Sequence, residues 1–82
     1  MNDVMWKKDL SLPLYYDYYG KFLTEKQARF FAMYYNEDLS LAEIAREEGI
    51  TRQGVRDVLE RSRKKLYDIE SKLGLVAGKT GE

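Results

Sequence analysis

The sequence predicts a small all-α domain, a helical bundle that contains a helix-turn-helix and ends in a long helix. Three observations carry this prediction. The chain has 82 residues, enough for one compact core. Its apolar residues recur at helical rather than alternating spacing, and Pro13 is the only proline. Gly49 separates two segments that each begin with a helix-capping residue, Ser40 and Thr51.

The first two helices are expected on either side of Gly20. Pro13 favours a helix start, because proline is well accommodated in the first turn. Thr24 and Gln27 form a capping box that begins the second helix, which we expect to stop around residues 36–38. The apolar stripes of these helices are formed by Leu12, Tyr15, Tyr16, Tyr19 and Leu23, and by Phe30, Phe31, Tyr34 and Tyr35.

The tyrosines of the first helix allow two interpretations. Tyr15, Tyr16, Tyr18 and Tyr19 could stack RNA bases. Because Asp17 lies among them and basic residues do not, we favour inward packing of Tyr15 and Tyr19 on the second helix, with Tyr16 and Tyr18 nearer the rim.

The third and fourth helices form the predicted helix-turn-helix. Ser40 and Glu43 repeat the capping box, and the third helix is expected to end at Gly49. Thr51 is then expected to cap a fourth helix that reaches Leu73. Three features mark the pair as a helix-turn-helix: a small residue where the helices cross, a glycine turn, and apolar residues that join the helices. These residues are Ala45, Gly49, Ile50 and Val55.

A seam of residues three or four apart follows the fourth helix: Val55, Leu59, Ser62, Leu66, Ile69 and Leu73. Its first half should pack on its own domain. For the second half, Leu66, Ile69 and Leu73, we expect a partner helix or a second copy of the protein. The alternative is that the first helix folds back over them. Residues 76–82 are expected to be a flexible tail, which leaves residues 1–75 as the domain.

Composition bears on the class of protein. The chain contains neither cysteine nor histidine, so it lacks the usual zinc ligands and the commonest general base. The Gly-Lys-Thr at residues 78–80 lacks the spacing and the following helix of a phosphate-binding loop. No apolar run approaches the ~20 residues of a membrane helix. We expect a non-enzymatic cytoplasmic protein with no cofactor, no metal and no small-molecule substrate.

Charge singles out the fourth helix as the candidate nucleic-acid contact. The chain carries 14 basic and 14 acidic residues, but residues 51–66 carry six basic and two acidic ones. We predict base contacts from Arg52, Gln53 and Arg56, since arginine and glutamine can bind guanine and adenine edges in bidentate fashion. Phosphate contacts are predicted at Thr51, Arg61, Arg63, Lys64 and Lys65. The alternative is that Arg52 and Arg56 pair on the surface with Glu48, Asp57 or Glu60.

The stretch LSLAEIAREEGITRQGVRDVLERSRKKL resembles the DNA-binding C-terminal domain of bacterial sigma factors. A closer resemblance, over about residues 14–75, is to the YlxM-like family (UPF0122) of helix-turn-helix proteins. It is carried by YYDYYGKFLTEKQ, YYNEDLSLAEIA, GITRQGV and ESKLGL. This resemblance implies an all-α regulatory protein linked to the signal recognition particle, with its GTPase or RNA as partners. A non-DNA-binding adaptor is the alternative function. The family usually continues with more helix where this chain has VAGKTGE, which leaves open whether the protein forms a homodimer.

Overall fold

The computed structural model describes residues 11–79, of which Lys79 is described by its backbone alone. This range contains five α-helices and no strand: α1 (Ser11–Tyr19), α2 (Glu25–Phe31), α3 (Leu41–Glu48), α4 (Arg52–Leu73) and α5 (Leu75–Lys79). A 3-10 turn, Gly20–Phe22, continues α1, and a π-helical segment, Ala32–Asn36, continues α2. The predicted all-α class with a long helix is therefore confirmed. None of the described helices is both long and apolar enough to cross a membrane.

The starts of α2 and α3 are fixed by side chains that cap backbone N–H groups. The backbone N–H of Gln27 donates to Oγ1 of Thr24 at 3.1 Å, and that of Thr24 donates to Oε1 of Gln27 at 3.0 Å. Ser40 and Glu43 make the same reciprocal pair at 3.1 and 2.8 Å. These hydrogen bonds confirm both predicted capping boxes. In each box the two side chains satisfy backbone N–H donors within one helical turn.

The long helix α4 is the element on which α1, α2 and α3 all pack. Val55 and Leu59, in its N-terminal half, lie in a first core cluster with residues of α2, the π-helical segment and α3. Leu66, in its C-terminal half, lies in a second cluster with residues of α1, α2 and α5. Ser62 is buried between them, and its hydroxyl donates to the Val58 carbonyl at 2.8 Å. One helix thus joins two cores.

The aromatic residues pack on one another inside the domain. The rings of Tyr16 and Phe31 stack with centroids 4.8 Å apart, and those of Phe31 and Tyr35 with centroids 4.5 Å apart. Tyr19 is buried, as inward packing of α1 requires, but Tyr16, predicted nearer the rim, is the tyrosine that stacks on α2, and the half-buried Tyr15 instead contacts Tyr67 of α4. The Phe31 ring therefore covers one face of the Tyr16 ring. The RNA-stacking interpretation requires that face to be open to a base.

The C-terminal region differs from the predicted flexible tail within the described range. Residues 75–79 form α5, and Val76 is only 5% exposed in the second core cluster. Gly74 makes the turn into α5 with a φ of 63°. The N–H groups of Val76 and Ala77 donate to the Glu70 carboxylate at 3.2 and 3.0 Å, so this short helix is held by long side chains of the preceding elements. Residues 80–82 of the expected tail lie outside the described residues.

Candidate nucleic-acid interface

The turn between α3 and α4 presents the start of α4 to solvent. Gly49 ends α3 in the left-handed region, at φ 69° and ψ 33°, a conformation that costs glycine little. The N–H of Ile50 donates to the Ala45 carbonyl at 3.1 Å, which closes the last turn of α3. Oγ1 of Thr51 then accepts the N–H of Gly54 at 3.0 Å and starts α4. These contacts confirm the predicted glycine turn and threonine cap.

The three predicted base-contact residues lie on the exposed first two turns of α4. Arg52 and Arg56 are one turn apart and share one side of the helix. Gln53 lies beside them, and its Nε2 donates to Oδ1 of Asp57 at 2.9 Å. Asp57 is thus a partner of Gln53, whose amide keeps a second N–H and its carbonyl oxygen for a base edge.

The nearby carboxylates are occupied by residues other than Arg56. Glu48 accepts hydrogen bonds from Nη2 and Nε of Arg29 at 3.0 and 3.4 Å, a bidentate pair that ties α2 to the end of α3. Glu60 lies 3.6 Å from Nη1 of Arg63. Within residues 11–79, Arg56 makes no ion pair or hydrogen bond through its side chain. The surface pairing considered for Arg56 is not the arrangement found.

The predicted phosphate contacts are spread around α4. Arg61, Lys64 and Lys65 are exposed, and none of them pairs with a carboxylate in the described part of the chain. Arg63 is half-buried, with its guanidinium 5.1 Å from the centre of the Tyr67 ring, so it also serves packing inside the domain. Thr51 accepts one hydrogen bond and keeps its own proton to donate. The structure does not gather these residues on one face.

The three residues of the predicted partner seam differ in how exposed they are. Leu66 is fully buried in the second core cluster, where α1 and α5 cover it. This is the fold-back arrangement considered from the sequence, and it makes Leu66 inaccessible to a partner. Ile69 is half-buried and Leu73 is 55% exposed. Both line an open pocket with Phe22, a residue that sequence reasoning missed because its exposure depends on how the 3-10 turn packs on α4.

A left-handed glycine turn, a capped second helix and an exposed polar and basic first turn together define a helix-turn-helix protein. The chain belongs to the UPF0122 family, whose model, described as "Putative helix-turn-helix protein, YlxM / p13 like", matches residues 6–81.

Relatives in this family are similar over most of the chain. A UPF0122 protein of Desulforamulus reducens is 54% identical over 61 residues, which are 74% of this chain and 52% of that protein. One from Thermoanaerobacter sp. is 51% identical over 67 residues, 82% of this chain and 57% of its own length. One from Symbiobacterium thermophilum is 46% identical over 66 residues, 80% of this chain and 62% of its own length. The matched region thus spans between about half and three fifths of these relatives.

Proposed function

We propose that this protein is a regulatory factor that binds double-stranded DNA through the first turns of α4. The observation that carries the proposal is the accessibility of the Arg56 guanidinium. It is exposed on the second helix of a helix-turn-helix, and the carboxylates around it already have other partners. A guanidinium in this position is available for an anionic or base-edge ligand.

The chemistry of the exposed turns fits a major groove. An α-helix with its side chains fits the groove, and its N-terminal residues are the ones that meet base edges. Arg52 and Arg56 would contact guanine O6 and N7, each worth about 1–3 kcal/mol of discrimination. Gln53 would contact adenine through its carbonyl oxygen and its second amide N–H, with the other N–H on Asp57. The Thr51 hydroxyl would donate to a phosphate oxygen at the groove edge.

The charge balance sets the affinity expected of a single chain. Formal net charge is zero, so attraction to the DNA backbone rests on local cations and not on the whole molecule. Arg61, Lys64 and Lys65 supply such cations farther along α4. A homodimer on two half-sites would add the affinity that one neutral chain lacks.

Selection of bound sequences from a random duplex DNA pool tests the proposal. We expect enrichment of a short motif, and binding that weakens as salt rises. Arg52→Ala and Arg56→Ala should each weaken binding to that motif by about 1–3 kcal/mol. Lys21→Ala is the matched control, because it removes an exposed cation of the 3-10 turn, on a different element. Unchanged binding in both arginine variants would exclude the groove model.

A second candidate function is an adaptor that binds the GTPase or the RNA of the signal recognition particle without binding DNA. Asp57 favours it, because a carboxylate on the exposed face next to Arg56 opposes an approaching phosphate. Binding of the purified chain to the particle's GTPase and, separately, to its RNA tests this function. The absence of both complexes would exclude it, whatever the DNA selection yields.

A further inference from the structure

A groove lies at the C-terminal end of α4, away from Arg52, Gln53 and Arg56, although Lys65 on its rim is also one of the predicted phosphate contacts. Its apolar lining is formed by Phe22, Ile69 and Leu73, and its volume is about 390 Å³. Phe22 is 50% exposed and Leu73 is 55% exposed. Single exposed apolar residues are ordinary on protein surfaces, but three around one concavity of ligand-binding size are typical of an interaction site.

The polar rim of this groove is formed by Lys65, Asp68 and Lys72. Nζ of Lys72 lies 3.2 Å from Oδ2 of Asp68, so these two charges offset one another. Lys65 has no carboxylate partner within the described chain, and Arg61, one turn earlier on the same flank of α4, has none either. The rim therefore carries an excess of positive charge.

We propose that this groove binds an acidic amphipathic helix of a protein partner. Apolar side chains spaced one turn apart would fill the space between Phe22 and Leu73, in the manner of a helix in a groove. Aspartate or glutamate residues beside that stripe would face Lys65 and Arg61, and charge complementarity of this kind sets orientation and selects the partner. A nucleic-acid backbone would satisfy the cations but would leave the apolar lining uncovered.

Two other occupants fit the groove less well. In a two-fold pair of identical chains the same surface lies on both sides of the interface, so both sides would carry the same excess of positive charge. The other occupant is the chain that precedes α1, but α1 itself contacts the opposite flank of α4. The Tyr15 ring contacts Tyr67 there, with centroids 5.5 Å apart, whereas Phe22 at the opposite end of the α1 and 3-10 segment lines the groove.

The test uses the full chain and a pair of fluorescein-labelled synthetic helices of about 16 residues. Both carry leucines at one-turn spacing; the first has glutamates on either side of this stripe, and the second has lysines there instead. By fluorescence anisotropy we expect the glutamate peptide to bind about tenfold more tightly than the lysine peptide. Lys65→Glu should remove or invert this preference, and Leu73→Asp should abolish binding of both peptides.

Leu14→Asp is the matched control, since it places the same charge on an exposed leucine of α1 and should leave binding intact. Equal binding of the two peptides, or no effect of Lys65→Glu, would overturn the proposal. Self-association that Leu73→Asp abolishes, without peptide binding, would assign the groove to a second copy. A change in Trp6 emission on Leu73→Asp, again without peptide binding, would assign it to the N-terminal residues. None of these outcomes depends on whether α4 binds DNA.

Discussion

The hydroxyl of Tyr19 donates a hydrogen bond to Oε1 of Glu70, which joins the end of α1 to the last turns of α4. The same hydroxyl oxygen accepts the N–H of Leu75 at 3.2 Å, and the Glu70 carboxylate accepts those of Val76 and Ala77. Burial, together with the bond to Glu70, raises the pKa of Tyr19. The bond from Tyr19 lowers the pKa of Glu70, and the backbone donors of α5 act in the same direction.

Replacing Tyr19 with phenylalanine should lower the free energy of unfolding by an amount that depends on pH. Glu70 stabilises the fold as a carboxylate, so its contribution is present above the ordinary pKa of 4.5 and is lost as pH falls through its lowered value in the folded protein. Tyr19 stabilises the fold as a neutral phenol, so its contribution is present below 10.0 and is lost as pH rises towards its raised value. The stability difference from wild type should be largest between these limits.

Urea unfolding followed by circular dichroism at a series of pH values measures this difference. Tyr18→Phe, one residue earlier in α1, is the matched control, because it removes a tyrosine hydroxyl and leaves the Tyr19–Glu70 bond in place. A Tyr19→Phe difference that stays constant through acid pH would contradict the assigned bond.

Leu66 and Leu73 should respond in opposite ways to truncation, although both belong to the apolar seam of α4. Leu66→Ala opens a cavity between α1, α4 and α5 and should cost about 2–5 kcal/mol of stability. Leu73→Ala removes an exposed side chain and should change stability by about 0.5 kcal/mol or less. Thermal or chemical unfolding measures both variants. A small loss for Leu66→Ala as well would indicate that the whole second half of the seam is exposed to solvent.

Gly49→Ala should destabilise the protein by about 1–2 kcal/mol, because a left-handed backbone brings Cβ close to the following carbonyl. The site is otherwise open, with no other atom within 4 Å of an added Cβ. Gly78→Ala is the matched control: its surroundings are equally open, but it lies in α5, where alanine favours the helix by up to about 1 kcal/mol. A loss of similar size at both positions would argue against conformational strain at the turn.

Asp57→Asn should strengthen binding to the DNA sequence obtained by selection. It removes a negative charge beside Arg56 and keeps a side-chain oxygen that can accept from Gln53. We expect a gain of about 1 kcal/mol at low salt, roughly fivefold, that shrinks as salt rises. Asp68→Asn makes the same change in the groove at the far end of α4 and is expected to leave DNA affinity close to wild type. Titrations by electrophoretic mobility shift at two salt concentrations compare the variants, and equal gains in both would point to net charge instead of position.

The helix boundaries and the helix-turn-helix could be predicted from the sequence because their causes are local. Thr24 and Gln27, like Ser40 and Glu43, satisfy one another within three residues, and Gly49 needs only its own backbone. The Gln53–Asp57 bond is local too, and its i, i+4 spacing could have revealed it.

Contacts between distant parts of the chain could not be predicted in this way. The Arg29–Glu48 pair, which takes one carboxylate away from α4, spans 19 residues. The Tyr19–Glu70 bond spans 51 residues, and α5 depends on it and on the burial of Val76. From its composition alone, VAGKTGE is predicted to be a flexible tail. Its first residues are helical because donors and acceptors elsewhere in the fold stabilise them.

Because α4 runs unbroken through both cores, it fixes how the side chains of its C-terminal half are rotated about the helix axis relative to those of its N-terminal half. At 1.5 Å per residue its 22 residues extend about 33 Å, and each residue advances the helix by about 100°. One residue inserted between Leu59 and Leu66 would turn the C-terminal half by that angle, withdraw Leu66 from its cluster and swing the groove around the axis. The number of residues in α4 between its two cores therefore sets the relative orientation of the two proposed sites, the groove for a protein partner at one end and the DNA-binding turns at the other.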